Sequence, residues 1–213
     1  MSTTPSSKPD AITLAVLLSG GGTTLQNLID RIADGRLNAR IGVVIASRPD
    51  AFGLERARTA GLPAYVVARR EFADVAAFSG RIFELCRQHG ATLVCLAGWL
   101  QLLDVPEHWT GRVINIHPAL LPKFGGRGMY GRHVHAAVIT AGEHESGCTV
   151  HFVNNEYDAG PVILKQTCVV AADDTPDSLA SRVFGLECEA YPEAIELIAS
   201  GRVRLQGNHV VRT

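Results

Sequence analysis

Short continuous apolar runs alternate with stretches of helical period along most of this chain. Residues 12–18, 41–46, 64–67, 92–96 and 113–116 read as buried strands, because parallel strands covered on both faces need no polar alternation. Between them, Leu25, Leu28, Ile29 and Ile32 recur at helical spacing. A second helix is expected from a cap at Asp50 to Ala60, ended by Gly61. A third is expected over 71–89, with Phe72, Val75, Ala76, Ile82, Phe83 and Cys86 on one side. Repeated β-α-β alternation predicts an open, mostly parallel, Rossmann-like sheet with helices on both faces. The pattern then changes. Thr149, His151 and Val153 alternate with Cys148, Val150 and Phe152, a turn-rich loop follows, and residues 162–170 resume a strand. So short a connection predicts an antiparallel pair. Thr175 or Asp174 caps a long final helix over 176–199, with proline in its first turn and Leu179, Val183, Ala190, Ala194 and Ile198 as its buried stripe. Residues 203–211 read as a hairpin turning at Gln206-Gly207-Asn208.

The chain has 213 residues, 46% of them apolar, and a formal net charge of −1 with both signs interspersed. Without a basic cluster, nucleic acid is not the expected partner. No apolar stretch reaches the roughly 20 residues of a membrane span. Residues 1–10 are polar and are expected to form a disordered tail before one domain over 11–213. The five cysteines form no C-x-x-C pair and read as buried thiols of a reducing cytoplasm.

The chemistry stands where polar residues interrupt the pattern. Asn115 and His117 break an aliphatic run that Pro118 must end, since proline offers no N–H and restrains the residue before it. An amide and an imidazole are thus delivered at the carboxyl end of a strand, the edge where open α/β sheets bind ligands. A strand-end histidine beside a turn-capping asparagine is the plainer alternative. Ser19-Gly20-Gly21-Gly22-Thr23-Thr24, between the first strand and helix, leaves backbone N–H groups free for an anion, or is a tight turn with threonine as N-cap. It is neither a P-loop nor the G-x-G-x-x-G fingerprint, because Leu25 takes the third glycine's place. Residues 97–103 are too apolar for an ordinary loop and form either a buried connection or a wall for a flat heterocycle. Residues 123–131 carry four glycines, as a mobile loop over a site would. His133 and His135 make an H-x-H pair with no third ligand at motif spacing, so helix-start polar contacts are expected of them and not a metal. Asp158 sits in the loop between the antiparallel strands, and Glu187 lies on or beside an apolar stripe, where a carboxylate without partners is costly. Asn115, His117 and Asp158 together suit acyl transfer to a nucleophilic substrate. The imidazole and amide would donate to a carbonyl oxygen as it turns negative, and the carboxylate would charge the ring and help move a proton from an attacking amine.

Asn115-Ile116-His117-Pro118-Ala119-Leu120-Leu121-Pro122 resembles the hallmark of the formyltransferases that use 10-formyltetrahydrofolate. Residues 19–22, 51–57, 96–99, 147–153 and 158–163 resemble, in order, the branch acting on glycinamide ribonucleotide, and the likeness spans about residues 11–200. It implies the formyltransferase fold and a direct transfer of formyl from 10-formyltetrahydrofolate to the amine of glycinamide ribonucleotide, a step of purine synthesis. The chain is expected to work in the cytoplasm as a monomer or homodimer, without a metal, nucleic acid or membrane. Asn115, His117 and Asp158 carry over as catalytic residues. Gly20, Gly22, Thr23 and Thr24, with Gly21 among them, carry over as the phosphate loop, and Glu187 as the ribose carboxylate. Leu100, Gln101, Leu102, Leu103, Val153, Asn154, Asn155 and Asp158 carry over as the folate pocket. The chain departs from better-known members at Gly21 and Thr24, where they have asparagine, and at Gln101, where a basic residue is common. It also has Val75 where some carry a cation near the phosphate, and a longer 123–132 loop. Formyltransferases for other amines and formyltetrahydrofolate deformylases share the core motif, and a folate- or nucleotide-binding homologue without catalysis is the remaining alternative.

Overall fold

A computed structural model describes residues 11–213; the tail expected at 1–10 lies outside the described residues. The chain runs β1 (Ile12–Leu18), α1 (Thr23–Ala33), β2 (Ala39–Ala46), α2 (Gly53–Thr59), β3 (Ala64–Val66), α3 (Val75–Gln88), β4 (Leu93–Leu96) and β5 (Val113–His117). It continues with α4 (Arg132–Thr140), β6 (Glu145–Phe152), β7 (Val162–Val169), α5 (Pro176–Ala199), β8 (Val203–Gln206) and β9 (His209–Arg212). Seven strands form one sheet in the order β3-β2-β1-β4-β5-β6-β7. The pairings from β3 to β5 are parallel, and those of β5 with β6 and β6 with β7 are antiparallel. The separate β8-β9 hairpin turns where the sequence predicts.

Strand alternation divides the core in two. Leu14, Val16 and Leu18 face one layer, which contains the buried residues of α1, α2, α4 and α5. Ala15, Leu17, Val43 and Ile45 face the other, built from α3 and the irregular segment carrying Trp99, Leu103 and Trp109. The order reverses between β1 and β4, so the segments leaving their carboxyl ends diverge and open a crevice. Ser19 ties these segments together: its N–H donates to the Gly98 carbonyl (3.0 Å), and its hydroxyl accepts from Leu100 N (3.0 Å) and Ser47 Oγ (2.7 Å). On α5, the hydroxyl of fully buried Tyr191 lies 2.9 Å from the Leu96 carbonyl and 3.1 Å from that of Ile114. This helix is thereby pinned to β4 and β5 beneath the crevice.

Some boundaries differ from the sequence reading. β2 begins at Ala39 because Arg40, bonded through Nε to Thr13 Oγ1 (2.8 Å), belongs to the ladder although it is not apolar. α2 begins only at Gly53, and Asp50 caps nothing there: both its oxygens accept from Arg48 (3.0 and 2.6 Å). α3 begins at Val75, capped by Asp74, whose carboxylate accepts from Ala77 N (2.7 Å). Phe72 therefore packs on the core from outside the helix, and Ala76 is exposed. β6 is buried on both faces, since it lies inside the sheet. α5 starts at a Thr175–Ser178 capping box followed by Pro176.

Candidate active site

The Gly-rich turn bends through Gly22, whose φ of 70° places it in the left-handed region. A Cβ there would lie 2.6 Å from the Gly53 backbone of α2, so only glycine permits this approach. α1 thus starts on backbone geometry and not on a threonine cap, with no side-chain cap and no acid in its first turn. Its leading N–H groups keep their positive end of the helix dipole uncompensated. Ser19, Gly20, Thr23 and Thr24 line a cleft of about 900 Å³; Gly21 and Gly22 do not. The Gly21 carbonyl instead accepts from Arg56 Nε (2.8 Å).

At the other end of the cleft, sheet register assembles a polar cluster. Asn115 stands opposite His151, and His117 opposite Thr149. Thr149 Oγ1 donates to the Ala119 carbonyl (2.7 Å) and accepts from Leu121 N (3.1 Å), strapping down the chain just past His117. Asp158 adopts φ 53°, a left-handed conformation that aspartate tolerates better than most residues. Its Oδ2 accepts from Gly126 N (2.9 Å) and lies 3.5 Å from His117 Nδ1. Asn115 Nδ2 lies 3.3 Å from Asp158 Oδ1 and 3.1 Å from His151 Nε2. The other ring nitrogen of His151 faces the Phe152 carbonyl at 2.8 Å, so Nδ1 carries the proton and Nε2 accepts. By the same logic His117 Nε2–H donates to the Phe124 carbonyl (2.8 Å), leaving an Nδ1 lone pair toward Asp158. The sequence reading aims the Asn115 and His117 donors at substrate; in this structure both are spent within the cluster. Burial pulls the His117 pKa below its usual value against the pull of Asp158 and the Phe124 carbonyl, while the His151 ring assists burial. Burial works to raise Asp158, but His151, His117 and the Gly126 N–H outweigh it and its pKa is lowered. At neutral pH the pair is therefore a carboxylate facing a neutral imidazole, not a closed ion pair.

Glu187 lines the same cleft from α5 and has no hydrogen bond or ion pair among the described residues. Burial pushes its pKa up to about 7. Three arginines, Arg48, Arg127 and Arg132, also reach the cleft, and none was singled out from sequence. Only spatial neighbourhood reveals them: Arg48 follows Ser47, which touches Ser19 across the sheet edge. Val75, at the start of α3, is not among the lining residues.

A smaller cavity of about 50 Å³ adjoins the cleft, and Trp99, Asn115, Tyr157 and Asp158 line both. Gln101, Leu102, Leu103, Val153 and Asn154 wall it, as the expected folate pocket requires, but its volume fits a water or two and no bicyclic ring. Leu100 faces the larger cleft. Asn155 is turned away, its amide bracing Val105 N (2.9 Å) and Asp104 Oδ1 (3.1 Å). In α4 the H-x-H spacing sends the two rings to different sides: His133 packs on Tyr130 while His135 is buried. They do not form a ligand pair. Among the described residues no cluster of three or more His, Cys, Asp or Glu is placed to hold a metal.

Residues 12–195 match the formyl transferase family. The chain is 39% identical over 203 residues to the chloroplastic phosphoribosylglycinamide formyltransferase of Arabidopsis thaliana, covering 93% of this chain and 69% of that protein. It is 39% identical to the trifunctional purine biosynthetic protein adenosine-3 of Bos taurus, of which it spans 20%. The crystal structure of glycinamide ribonucleotide transformylase 1 from Symbiobacterium toebii superposes with a TM-score of 0.88 at 39% identity, covering 96% of this chain and 95% of that one.

Proposed function

Because this chain belongs to the formyl transferase family, we propose that residues 11–213 act as one domain transferring the formyl group of 10-formyltetrahydrofolate to the amine of glycinamide ribonucleotide. The reading rests above all on one observation: Asn115 and Asp158 line both the wide cleft and the small cavity, with His117 beside them. Two substrates approaching from the two sides meet at that cluster. The nucleotide lies in the cleft, its phosphate at the Gly20–Thr24 turn and its ribose hydroxyls on Glu187. Arg48, beside that turn, supplies the cation. The folate takes the walls formed by residues 100–103 and 153–154, which must part to admit it.

The acceptor amine attacks the formyl carbon; a C–N bond forms and the carbonyl oxygen becomes an oxyanion. Asn115 turns one N–H from Asp158 Oδ1, its longer bond, to that oxygen. The freed Oδ1 accepts the amine proton; a turn of the carboxyl then brings the protonated oxygen to the place Oδ2 holds 3.5 Å from Nδ1, and the proton passes to His117. The charged ring then donates from Nδ1 to the oxyanion. When the bond from the formyl carbon to the folate nitrogen breaks, that proton leaves with the nitrogen. Stabilising the oxyanion and placing the proton are the two terms a side-chain trio supplies here.

The test is turnover of 10-formyltetrahydrofolate by the purified chain with and without glycinamide ribonucleotide. Loss of formyl that depends on the nucleotide is expected. Equal loss in water alone would make the chain a deformylase.

A further inference from the structure

Every polar side chain of the strand-end cluster has a protein partner except one that faces it from α4. His135 is only 4% exposed, lines the cleft, and has no hydrogen-bond partner among the described residues. Its Nδ1 is sealed from solvent, while Nε2 is neither sealed nor bonded to protein. A buried N–H without an acceptor is rarer and costlier than an unused lone pair. The ring proton therefore belongs on Nε2, where it points at the cleft as a donor. Trp99 Nε1 and Ser146 Oγ are also unpartnered. Each is its side chain's only polar atom and is shut off, so no ligand reaches it without movement.

We propose that His135 binds the nucleotide acceptor by donating from Nε2 to the carbonyl of its glycinamide group, one carbon from the attacking amine. This deepens the function proposed above and rests on it. Two features favour that carbonyl. Burial, helped by the neighbouring His117 ring, holds the His135 pKa below its usual value and keeps the side chain neutral; it therefore suits an uncharged acceptor and not the phosphate. His135 also lines the cleft together with His117, Asn115 and Asp158, whereas the phosphate turn lies between β1 and α1. Holding the carbonyl fixes the direction from which the amine approaches the formyl carbon, so the contact positions as well as binds.

The test compares steady-state kinetics and melting of the wild-type chain with His135→Leu and His135→Gln. His135→Leu is expected to raise the nucleotide KM about tenfold or more, leave the formyl-folate KM unchanged, and melt no lower than wild type, since it removes an unpaired buried group. His135→Gln, whose amide N–H reaches a similar point, should recover part of the loss. With an acceptor lacking the ribose 2′-hydroxyl, the His135→Leu penalty should persist. If it vanishes there, the partner is a hydroxyl and the assignment to the carbonyl is wrong. A His135→Leu protein that melts lower with an unchanged nucleotide KM would make the residue structural. Either result leaves the proposed reaction standing, whereas a wild-type chain inactive on this substrate pair overturns both.

Discussion

The two ends of the cleft are built on opposite principles. At the strand ends, Asn115, His117, His151 and Asp158 satisfy one another, and every ring and amide is oriented by a neighbour. At the Gly-rich turn and Glu187, donors and a carboxylate are left without protein partners. A closed network keeps reacting groups in register before substrate arrives. An open one converts its own unmet hydrogen bonds into affinity when a ligand completes them. The chemistry is held by the protein, and the binding end is finished by the ligand.

The largest break in this contrast comes from the closed end. His117→Ala, Asn115→Ala and Asp158→Asn should each lower kcat at least about a hundredfold, the scale of losing an oxyanion donor or a proton-transfer group. Circular dichroism should show the fold retained. Near-normal turnover by a folded His117→Ala protein would end the mechanism.

Glu187→Gln should act on binding instead, raising the nucleotide KM roughly ten- to a hundredfold with the folate KM unchanged, because hydrogen bonds to a charged group contribute about 1.5–3 kcal/mol. Its pKa of about 7 adds a pH signature. Above pH 7 the folded chain must hold a buried charge that the unfolded chain does not, so this carboxyl lowers stability as pH rises from its unfolded value through 7. Glu187→Gln should stabilise the protein by up to about 3 kcal/mol at pH 8, less whatever partial exposure screens, and by nothing below pH 4. A variant less stable at pH 8 would show the carboxylate serving the fold. Wild-type nucleotide KM should also climb below pH 7 as the group protonates, and that rise should be missing in the variant.

Gly20→Val sharpens the phosphate assignment. A Cβ at Gly20 meets nothing within 4 Å, so the added bulk enters only the cleft; at Gly22 it would strike Gly53 and damage the fold. The nucleotide KM should rise about tenfold, the scale of one or two lost charge-assisted hydrogen bonds, with the folate KM unmoved. Equal changes in both would place the phosphate elsewhere. The smallest effect is expected from Arg48→Ala, a few-fold rise in nucleotide KM that fades with added salt, since this arginine is exposed and already shared with Asp50. No change at low salt would leave Arg127 or Arg132 as the cation.

The architecture was legible because apolar runs and helical spacing are local. Continuous runs marked β1, β4 and β5, and the short connection after residue 153 marked β6 and β7 as an antiparallel pair, though not that β6 also pairs antiparallel with β5. Boundaries failed where tertiary contacts outweighed local signals: Asp50 is drawn to Arg48 instead of capping α2, and Gly53 must start that helix tight against Leu18. Asn115, His117 and Asp158 stood out as polar residues at strand ends. Their inward bonding did not, because it depends on His151 lying across the ladder. His151 carried a signal all the same, a histidine alternating with Thr149 on one side of a strand. His135 was legible only as half of an H-x-H pair at an expected helix start; that it alone of the pair lines the cleft was not. Nothing local marked Arg48 or the narrowness of the cavity behind residues 101–103.

Tyr191 turns the cleft into a gauge of length. Its hydroxyl, on the carbonyls of Leu96 and Ile114, fixes the helix that carries Glu187 one turn away against the strand that carries Asn115. The span from ribose carboxylate to reacting cluster is thus set by rigid elements and not by a loop. An acceptor anchored at its sugar must bring its amine to one fixed distance. Adding a methylene between amide and amine would carry the nitrogen past the formyl carbon, and a misplacement of about 1 Å costs on the order of a hundredfold in rate. Discrimination among amines of the same basicity is then a matter of reach.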